Sequence, residues 1–224
     1  MGTSVSAVGV LDKAVGLLDV LEDRPRSLAE LVDATGLSRA TAHRLATALE
    51  AHGLVRRDDD GRFTLGTRLI ALGRAASDRV PLAAAAADAL EELRDATGES
   101  VQLYVREGEL RICVAALQSP HGLRTIVPLG ASLPLDVGSA GRLLLDESSE
   151  RSGPDPGWVA SVGEREAGVA SVSAPVRDAS GRVVAAVSVS GPIERTTRQP
   201  GRRYGDAVVA AALRVEREAG LRQE

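Results

Sequence analysis

Two serines that can start helices, each followed by a glycine that can end one, constrain the fold of this chain most strongly. Ser27 is a favourable N-cap, and Gly36 can close the short helix that follows it. Ser38 is a favourable N-cap for a helix over 39–52, which Gly53 can close in the left-handed conformation. Only a tight turn fits between the two helices, so a helix-turn-helix is predicted.

The flanking segments extend this motif. Apolar residues recur at helical spacing over 7–22, which predicts a first helix. Residues 54–57 and 62–65 have the pattern of short strands, and the sequence DDDG at 58–61 predicts a hairpin turn between them. Three helices followed by a hairpin predict a winged helix-turn-helix domain over residues 1–65.

The helix over 39–52 has one apolar and one polar face. At about 100° per residue, Ala42, Leu45 and Leu49 point to the core. The opposite face carries the polar side chains of His43, Thr47 and Glu50. Arg39 and Arg44 flank this outer face. A helix with small, hydrogen-bonding and basic residues outward suits the major groove of DNA.

Phosphate contacts are expected from the first turn of this helix and from the hairpin. Ser38, Thr41 and the N–H groups of a helix N-terminus can bind phosphate. Arg56, Arg57 and Arg62 on the hairpin can reach the DNA backbone or a minor groove. The full set predicted to contact DNA is Ser27, Ser38, Arg39, Thr41, His43, Arg44, Thr47, Arg56, Arg57 and Arg62.

A different function for this domain stays open. The hairpin tip carries three aspartates over 58–60, which would repel phosphate, and the formal net charge of the chain is −4. DNA binding therefore depends on local clustering of arginines rather than on bulk charge. Winged helices also dock proteins, so an interaction adaptor without DNA binding is the alternative.

Composition excludes several other classes of protein. One Phe, one Trp and two Tyr are the only aromatic residues, so the core is expected to be aliphatic and a base-stacking surface is not expected. A single cysteine excludes an intramolecular disulfide framework, and three histidines leave little for a metal site. No apolar run approaches about 18 residues, and no signal peptide is recognised. A soluble, cytoplasmic protein without metal or cofactor is expected.

Two blocks of sequence resemble the IclR-type bacterial transcriptional regulators. The first, within 9–65, contains SLAELVDATGLSRATAHRLATALEAHGLV and GRFTLG. The second contains GEREAGVASVSAPVRDASGRVVAAVSVSGPIERT, preceded by VPLGASLPL. The resemblance implies a regulator that binds double-stranded operator DNA and a small-molecule effector, as a homodimer or homotetramer. The sequence most resembles a branch of this family in high-GC Gram-positive bacteria whose members control amino-acid biosynthesis, including that of leucine.

Beyond residue 65 the pattern changes from helical to mixed. The predicted elements are a linker helix over 66–77, a helix over 81–97, a hairpin over 100–117, strands over 124–128 and 132–135, a helix over 139–145, a hairpin turning at 178–181 and a helix over 202–219. Helices at both ends of an antiparallel sheet give an α+β class. The predicted domains are 1–65, a linker helix over 66–79, and 80–224, which the resemblance implies is a GAF-like effector domain.

Serines alternate with apolar residues on two predicted strands. Ser188 and Ser190 share one strand face, and Ser171 and Ser173 share a face of the partner strand. Hydroxyls on a sheet can line a small polar cavity. They can equally allow a helix to pack closely, and the residues alone do not decide between the two.

The resemblance implies an effector pocket at particular positions of this chain. They are Cys113, Gly130, Ala131, Ser161, Ser171, Ser188 and Ser190. The N–H groups of Gly130 and Ala131 would hold a carboxylate, and the hydroxyls would orient the ligand. Ser161 stands where an aspartate is common, and Ser171 where a cysteine is common. A small carboxylate, such as an amino acid or a 2-oxo acid, is the expected effector.

The sequence does not predict an enzyme. Cys113 lies within an apolar alternation, where a cysteine is usually a small buried hydrophobe, although a hydrolase using this thiol is a third possibility. The polar segment over 146–157 is shorter than the helical connection usual in the family and could cover a pocket mouth.

Overall fold

The structure, a computed structural model, describes residues 9–77, 81–145 and 157–221. It divides the chain into two units, Met1–Ala76 and Ser77–Glu224. The start of the chain, where the signal-peptide expectation falls, and nearly all of the 146–157 segment lie outside the described residues. The three-part division into 1–65, 66–79 and 80–224 stays a prediction.

The N-terminal unit contains the predicted helices and hairpin in the predicted order. Its elements are α1 (Gly9–Asp23), α2 (Leu28–Thr35), α3 (Arg39–Ala51), β1 (Val55–Arg57), β2 (Phe63–Leu65) and α4 (Arg68–Ser77). Ser27 and Ser38 accept hydrogen bonds from the main chain of α2 and α3 at the capping positions, and Gly36 is left-handed at the end of α2. The capping pattern in the sequence therefore located this fold correctly.

One small core holds these elements together. Leu17 of α1, Leu31 of α2 and Leu45 of α3 pack around Val55 and Phe63 of the hairpin. The side chain of Phe63 is fully buried, and its backbone also exchanges two hydrogen bonds with Arg26, at 2.9 and 2.8 Å. Arg26, two residues before α2, thus forms an isolated antiparallel bridge to the second strand of the hairpin.

The C-terminal unit is a six-stranded antiparallel sheet with helices on both faces. Its helices are α5 (Pro81–Ala85), α6 (Ala87–Thr97), α7 (Ser139–Leu145), α8 (Ile193–Thr196) and α9 (Pro200–Glu218). Its strands are β3 (Ser100–Glu107), β4 (Leu110–Leu117), β5 (Ser132–Pro134), β6 (Val159–Val162), β7 (Val169–Arg177) and β8 (Val183–Pro192). The strand order is β5-β4-β3-β8-β7-β6. This arrangement confirms the predicted α+β class.

Three details differ from the sequence-based prediction. Residues 124–128 do not form a strand, because β5 pairs with β4 at Leu110–Ile112 and the carbonyl of Thr125 accepts a hydrogen bond from the Ser100 hydroxyl instead. The helix predicted over 81–97 is interrupted at Ala86, a fully buried residue whose side chain cannot cap α6. The short elements β6 and α8 were not predicted, because neither is long enough to show a period.

The two faces of the sheet have different chemistry. On one face Val172, Val187 and Val189 pack against α6 and α9 in the main hydrophobic core. On the other face Ser173 and Ser188 lie opposite each other in the register of β7 and β8, beneath α7. Alternation along the strands therefore gives a dry core on one side and a layer of hydroxyls on the other.

The single tryptophan fixes α9 to the sheet through a groove made by two glycines. A Cβ atom on Gly201 would lie 2.1 Å from the Trp158 ring, and one on Gly205 would lie 2.4 Å from its Nε1. Both glycines are buried in α9, one turn apart. Their missing side chains make the space that the indole fills.

We predict that Gly205→Ala destabilises the protein by roughly 1–3 kcal/mol, because the added methyl overpacks the indole. Urea unfolding of the full chain followed by circular dichroism measures the change. Asp206→Ala, at the next and exposed position of the same helix, is the matched control and should leave the midpoint unchanged. Equal stability of wild type and Gly205→Ala would contradict the claim that the missing side chain of Gly205 makes space for the indole.

Candidate functional site

The outer face of α3 is polar and open to solvent, as its sequence predicts. Arg39, His43, Arg44 and Thr47 are exposed, whereas Ala42, Leu45 and Leu49 are buried. Three alanines, Ala40, Ala48 and Ala51, are also exposed, and their small side chains allow a partner to approach the helix backbone closely. The Ser38 and Thr41 hydroxyls lie 2.9 Å apart at the start of the helix, where both are accessible to a partner.

Three of the arginines predicted to contact DNA have side chains without an intramolecular partner among the described residues. Within the described residues Arg39, Arg44 and Arg56 are exposed and form no ion pair or side-chain hydrogen bond. A guanidinium in this condition can contact phosphate without first breaking an internal contact. Arg39 and Arg44 belong to α3, and Arg56 belongs to the first strand of the hairpin.

The other two predicted arginines hold the unit together. Arg57 lies over the Phe63 ring, 4.1 Å from its centroid, and its Nε is 3.5 Å from a carboxylate oxygen of Glu50. Arg62, directly before β2, donates to Glu30 at 2.8 Å, which ties the hairpin to α2. These contacts give both side chains an internal role, whether or not they also reach DNA.

Glu30 is the centre of this internal network. One of its carboxylate oxygens accepts from the Ser27 N–H and the Arg62 guanidinium, and the other accepts from Arg24, each at 2.8 Å. The Ser27 hydroxyl accepts in turn from the Glu30 N–H at 3.3 Å, which completes a capping box. The Ser27 N–H, with Arg24 and Arg62, holds the pKa of Glu30 well below its ordinary value.

The acid sensitivity of the N-terminal unit follows from this carboxylate. Because the folded-state pKa is lowered, Glu30 stabilises the fold above its ordinary pKa of 4.5, and that contribution is lost as the pH falls below this value. We predict that Glu30→Gln flattens the fall in melting temperature between neutral and acidic pH. Thermal unfolding over a pH series measures this, with Asp19→Asn on the exposed side of α1 as the control. An unchanged pH profile in Glu30→Gln would contradict it.

The hydroxyl face of the C-terminal sheet opens into a cavity. The cavity has a volume of about 30 Å³ and lies in a surface opening of about 400 Å³. Its lining residues are Gln102, Tyr104, Arg111, Gly138, Ser139, Ala140, Ser161, Arg165, Glu166, Val169, Ser171, Ser188 and Ser190. Four of the seven predicted effector residues, the serines at 161, 171, 188 and 190, are therefore brought together on its wall.

A chain of hydroxyl contacts runs along this wall. The Ser139 Oγ lies 2.7 Å from both Ser171 Oγ and Ser173 Oγ, and Ser173 donates to Ser188 at 2.9 Å. Ser190 donates to the side-chain carbonyl of Gln102 at 3.1 Å. Both interpretations of the serines thus have structural support, since Ser139 packs α7 onto the sheet and the hydroxyls also line the cavity.

An arginine that was not among the residues predicted from the sequence lies on the wall of this cavity. Arg111 of β4 is only 3% exposed, and burial lowers the pKa of its guanidinium. A Cβ atom on Gly141 would lie 2.5 Å from its Nη1, so this glycine leaves the space that the guanidinium fills. The sequence signal for this burial is that Arg111 lies two residues before Cys113 and therefore on the same face of the strand, which is buried.

The remaining predicted residues lie apart from the cavity wall. The Gly130 N–H donates to the Cys113 carbonyl at 2.8 Å, and the Ala131 N–H donates to the Pro128 carbonyl at 3.1 Å. In this structure both amides already have partners, which argues against their holding a carboxylate. Cys113 is fully buried in an apolar cluster, and burial raises the pKa of its thiol to about 12, which argues against a nucleophile.

In the described part of the chain, no group of three or more His, Cys, Asp or Glu side chains is placed to hold a metal ion. No helix in that part is both long and apolar enough to cross a membrane.

A winged helix-turn-helix followed by a sheet with a polar cavity defines a DNA-binding regulator with an effector domain, and comparison gives the family. Residues 10–59 match the IclR helix-turn-helix domain, and residues 74–152 and 155–217 match the bacterial transcriptional regulator IclR C-terminal domain. The chain belongs to the IclR family of bacterial transcriptional regulators.

Individual relatives span nearly the whole chain. The HTH-type transcriptional regulator KipR of Bacillus subtilis (strain 168) is 28% identical, over 93% of this chain and 96% of KipR. The glycerol operon regulatory protein of Streptomyces coelicolor is 29% identical, over 84% of this chain and 87% of that protein. The fold also matches an IclR homologue of Microbacterium hydrocarbonoxydans solved with 4-hydroxybenzoate, with a TM-score of 0.77 and 23% identity over 94% of this chain and 99% of that one.

Proposed function

We propose that this regulator binds operator DNA through α3 and that a small carboxylate in the serine-lined cavity changes its affinity for the operator. The observation that carries the proposal is the convergence of four predicted effector serines on one polar cavity that also contains Arg111. The relative from Microbacterium hydrocarbonoxydans, solved with a carboxylate, has the same fold and supports this choice of ligand. We infer amino-acid metabolism as the regulated process from the similarity of this sequence to the branch of the family that controls amino-acid biosynthesis.

The proposed DNA interface is the exposed face of α3 in the major groove. Arg39 and Arg44 supply charge, while His43 and Thr47 present hydrogen-bonding groups at the level of the base edges. Ser38 and Thr41 at the start of α3, with Arg56 on the hairpin, contact phosphates. Since Ser27, Arg57 and Arg62 have internal partners, the proposal gives them mainly the task of holding α2 and the hairpin in place.

The proposal includes assembly into a homodimer or homotetramer. One helix reads only a few base pairs, and a dimer reads two half-sites about one helical turn apart or a multiple of that spacing. Exposed apolar residues on α1 and α4 support pairing through the N-terminal unit, among them Val10, Leu11, Val15, Ile70 and Leu72. Isolated apolar side chains are normal on a surface, but several on one helix indicate an interface.

We predict that Arg44→Ala weakens binding to operator DNA roughly tenfold or more and lowers the salt slope, because one charged contact is lost. Fluorescence anisotropy with DNA from upstream of this protein's own gene, over a salt series and against scrambled DNA, measures both quantities. Arg198→Ala is the control, since Arg198 is an exposed arginine of the other unit without an ion pair among the described residues. Equal loss in both variants, or none, would favour the adaptor function instead.

Binding of the effector in the serine-lined cavity can be tested separately. We predict that Ser190→Ala lowers the affinity for the bound carboxylate several-fold, because the hydroxyl that lies between Gln102 and the cavity is lost. Isothermal titration calorimetry with amino acids, 2-oxo acids and 4-hydroxybenzoate identifies the acid and compares the variants. Ser132→Ala, on the exposed side of β5, should bind like wild type. Heat from none of these acids would count against the cavity as an effector site.

A further inference from the structure

Arg111 carries a buried charge for which the described residues provide no carboxylate within ion-pair distance. Its Nη1 donates to the main-chain carbonyls of Pro134 and Val137, the second at 2.7 Å, and its Nε is buried without a hydrogen-bond partner. Removing an ion from water is unfavourable unless a charge of opposite sign compensates it. The described residues thus leave the guanidinium at the cavity wall without a compensating charge.

The surroundings of this guanidinium do not neutralise it. Tyr104, whose ring centroid is 5.5 Å away, is buried, and burial raises the pKa of its hydroxyl, so the side chain is uncharged at neutral pH. Arg165 is a second cation on the same cavity and lowers the pKa of Arg111 further. Asp136 acts in the opposite direction but is exposed to solvent, and burial outweighs it.

The acids nearest to the cavity already serve other groups. Glu166 lies at the cavity and pairs with Arg165 at 3.7 Å. Glu164 accepts from the Gly138 N–H at 3.1 Å and pairs with Arg142 at 3.3 Å. Neither forms an ion pair with Arg111, so that charge remains for a ligand.

The position of Arg111 is built rather than incidental. Main-chain carbonyls orient the guanidinium through Nη1, and Gly141 clears the volume that it occupies. A Cβ atom on Gly138 would lie 3.5 Å from Nη2, an ordinary contact distance, so the second terminal nitrogen lies beside the loop that precedes α7. The guanidinium is therefore held in one orientation at the wall of a cavity whose remaining surface is rich in hydroxyls.

We propose that Arg111 is the counter-ion of the effector, and that the effector is a small organic monoanion with a carboxylate at Arg111 and a hydrogen-bonding group at the serines. The inference rests on the proposed function, since it assigns a residue and a charge to the ligand of the same cavity. One uncompensated guanidinium matches a single negative charge, because Glu166 already pairs with Arg165. Planar bidentate recognition by arginine suits a carboxylate.

The test uses the full-length protein and three sodium carboxylates, acetate, pyruvate and 4-hydroxybenzoate, each against sodium chloride at equal concentration. 4-Hydroxybenzamide is the uncharged match for the third acid, and inorganic phosphate tests for a different oxyanion. Melting temperature is the readout, since a ligand that binds only the folded state raises it. The variants are Arg111→Met, which removes the charge at similar length, Arg111→Lys, which retains it, and Ser132→Ala as the control.

The expected result is a rise in melting temperature of the wild type with at least one carboxylate and no rise with the amide or with phosphate. Arg111→Met should lose this rise, with affinity lowered roughly tenfold or more, and Arg111→Lys should retain part of it. A purely structural arginine would leave the response to acids unchanged in Arg111→Met.

Several outcomes would overturn the inference. They are no response of the wild type to any of the three acids, an equal response to acid and amide, a response to phosphate alone, or an acid response that persists in Arg111→Met. An acid that binds wild type and Arg111→Met alike and changes the operator affinity of both would refute Arg111 as the counter-ion and leave the proposed function intact. Loss of acid binding in Arg111→Met, with operator affinity of the wild type unaffected by acid, would refute the proposed function alone.

Discussion

The alternation of side chains along β7 and β8 is the constraint on which the C-terminal unit depends. Because successive residues of a strand point to opposite faces, the valines of β8 enter the core under α6 and α9 while Ser188 and Ser190 enter the polar layer. A slip of one residue in the register would exchange the two sets. The same pairing that builds the hydrophobic core therefore also builds the cavity.

The N-terminal unit depends on a charge network in a comparable way. Glu30 connects the start of α2 to Arg62 of the hairpin, and Arg57 lies on the buried Phe63 ring. These internal contacts leave Arg39 and Arg44 as the exposed cations of α3 without an internal partner. Arginines that are alike in the sequence are thus divided between holding the fold and facing a partner.

Much of the architecture follows from local signals in the sequence. Ser27, Ser38 and Gly36 mark helix ends through short-range hydrogen bonds, and the period-two pattern marks the long strands. The failed strand over 124–128 shows the limit, because whether an extended segment finds a pairing partner is decided by distant residues.

The candidate site was only partly accessible to sequence reasoning. The serines could be assigned to one site because they share strand faces. Arg111 was not assigned to that site from the sequence, because its burial depends on Gly141, which lies 30 positions further along the chain. Gly130 and Ala131 were inferred from resemblance, and their N–H groups proved to be bonded to main-chain carbonyls. Tertiary contacts of this kind have no local signature.

The central claim is that the cavity and the DNA interface are coupled, and thermodynamic reciprocity tests it most directly. The affinity of the protein for its best-binding carboxylate should be measured by calorimetry with and without saturating operator DNA, and the affinity for operator with and without saturating acid. The account predicts that the two ratios are equal and differ from one by about 5- to 150-fold, the usual range of allosteric coupling. An acid that binds equally tightly to the free and the DNA-bound protein would contradict it.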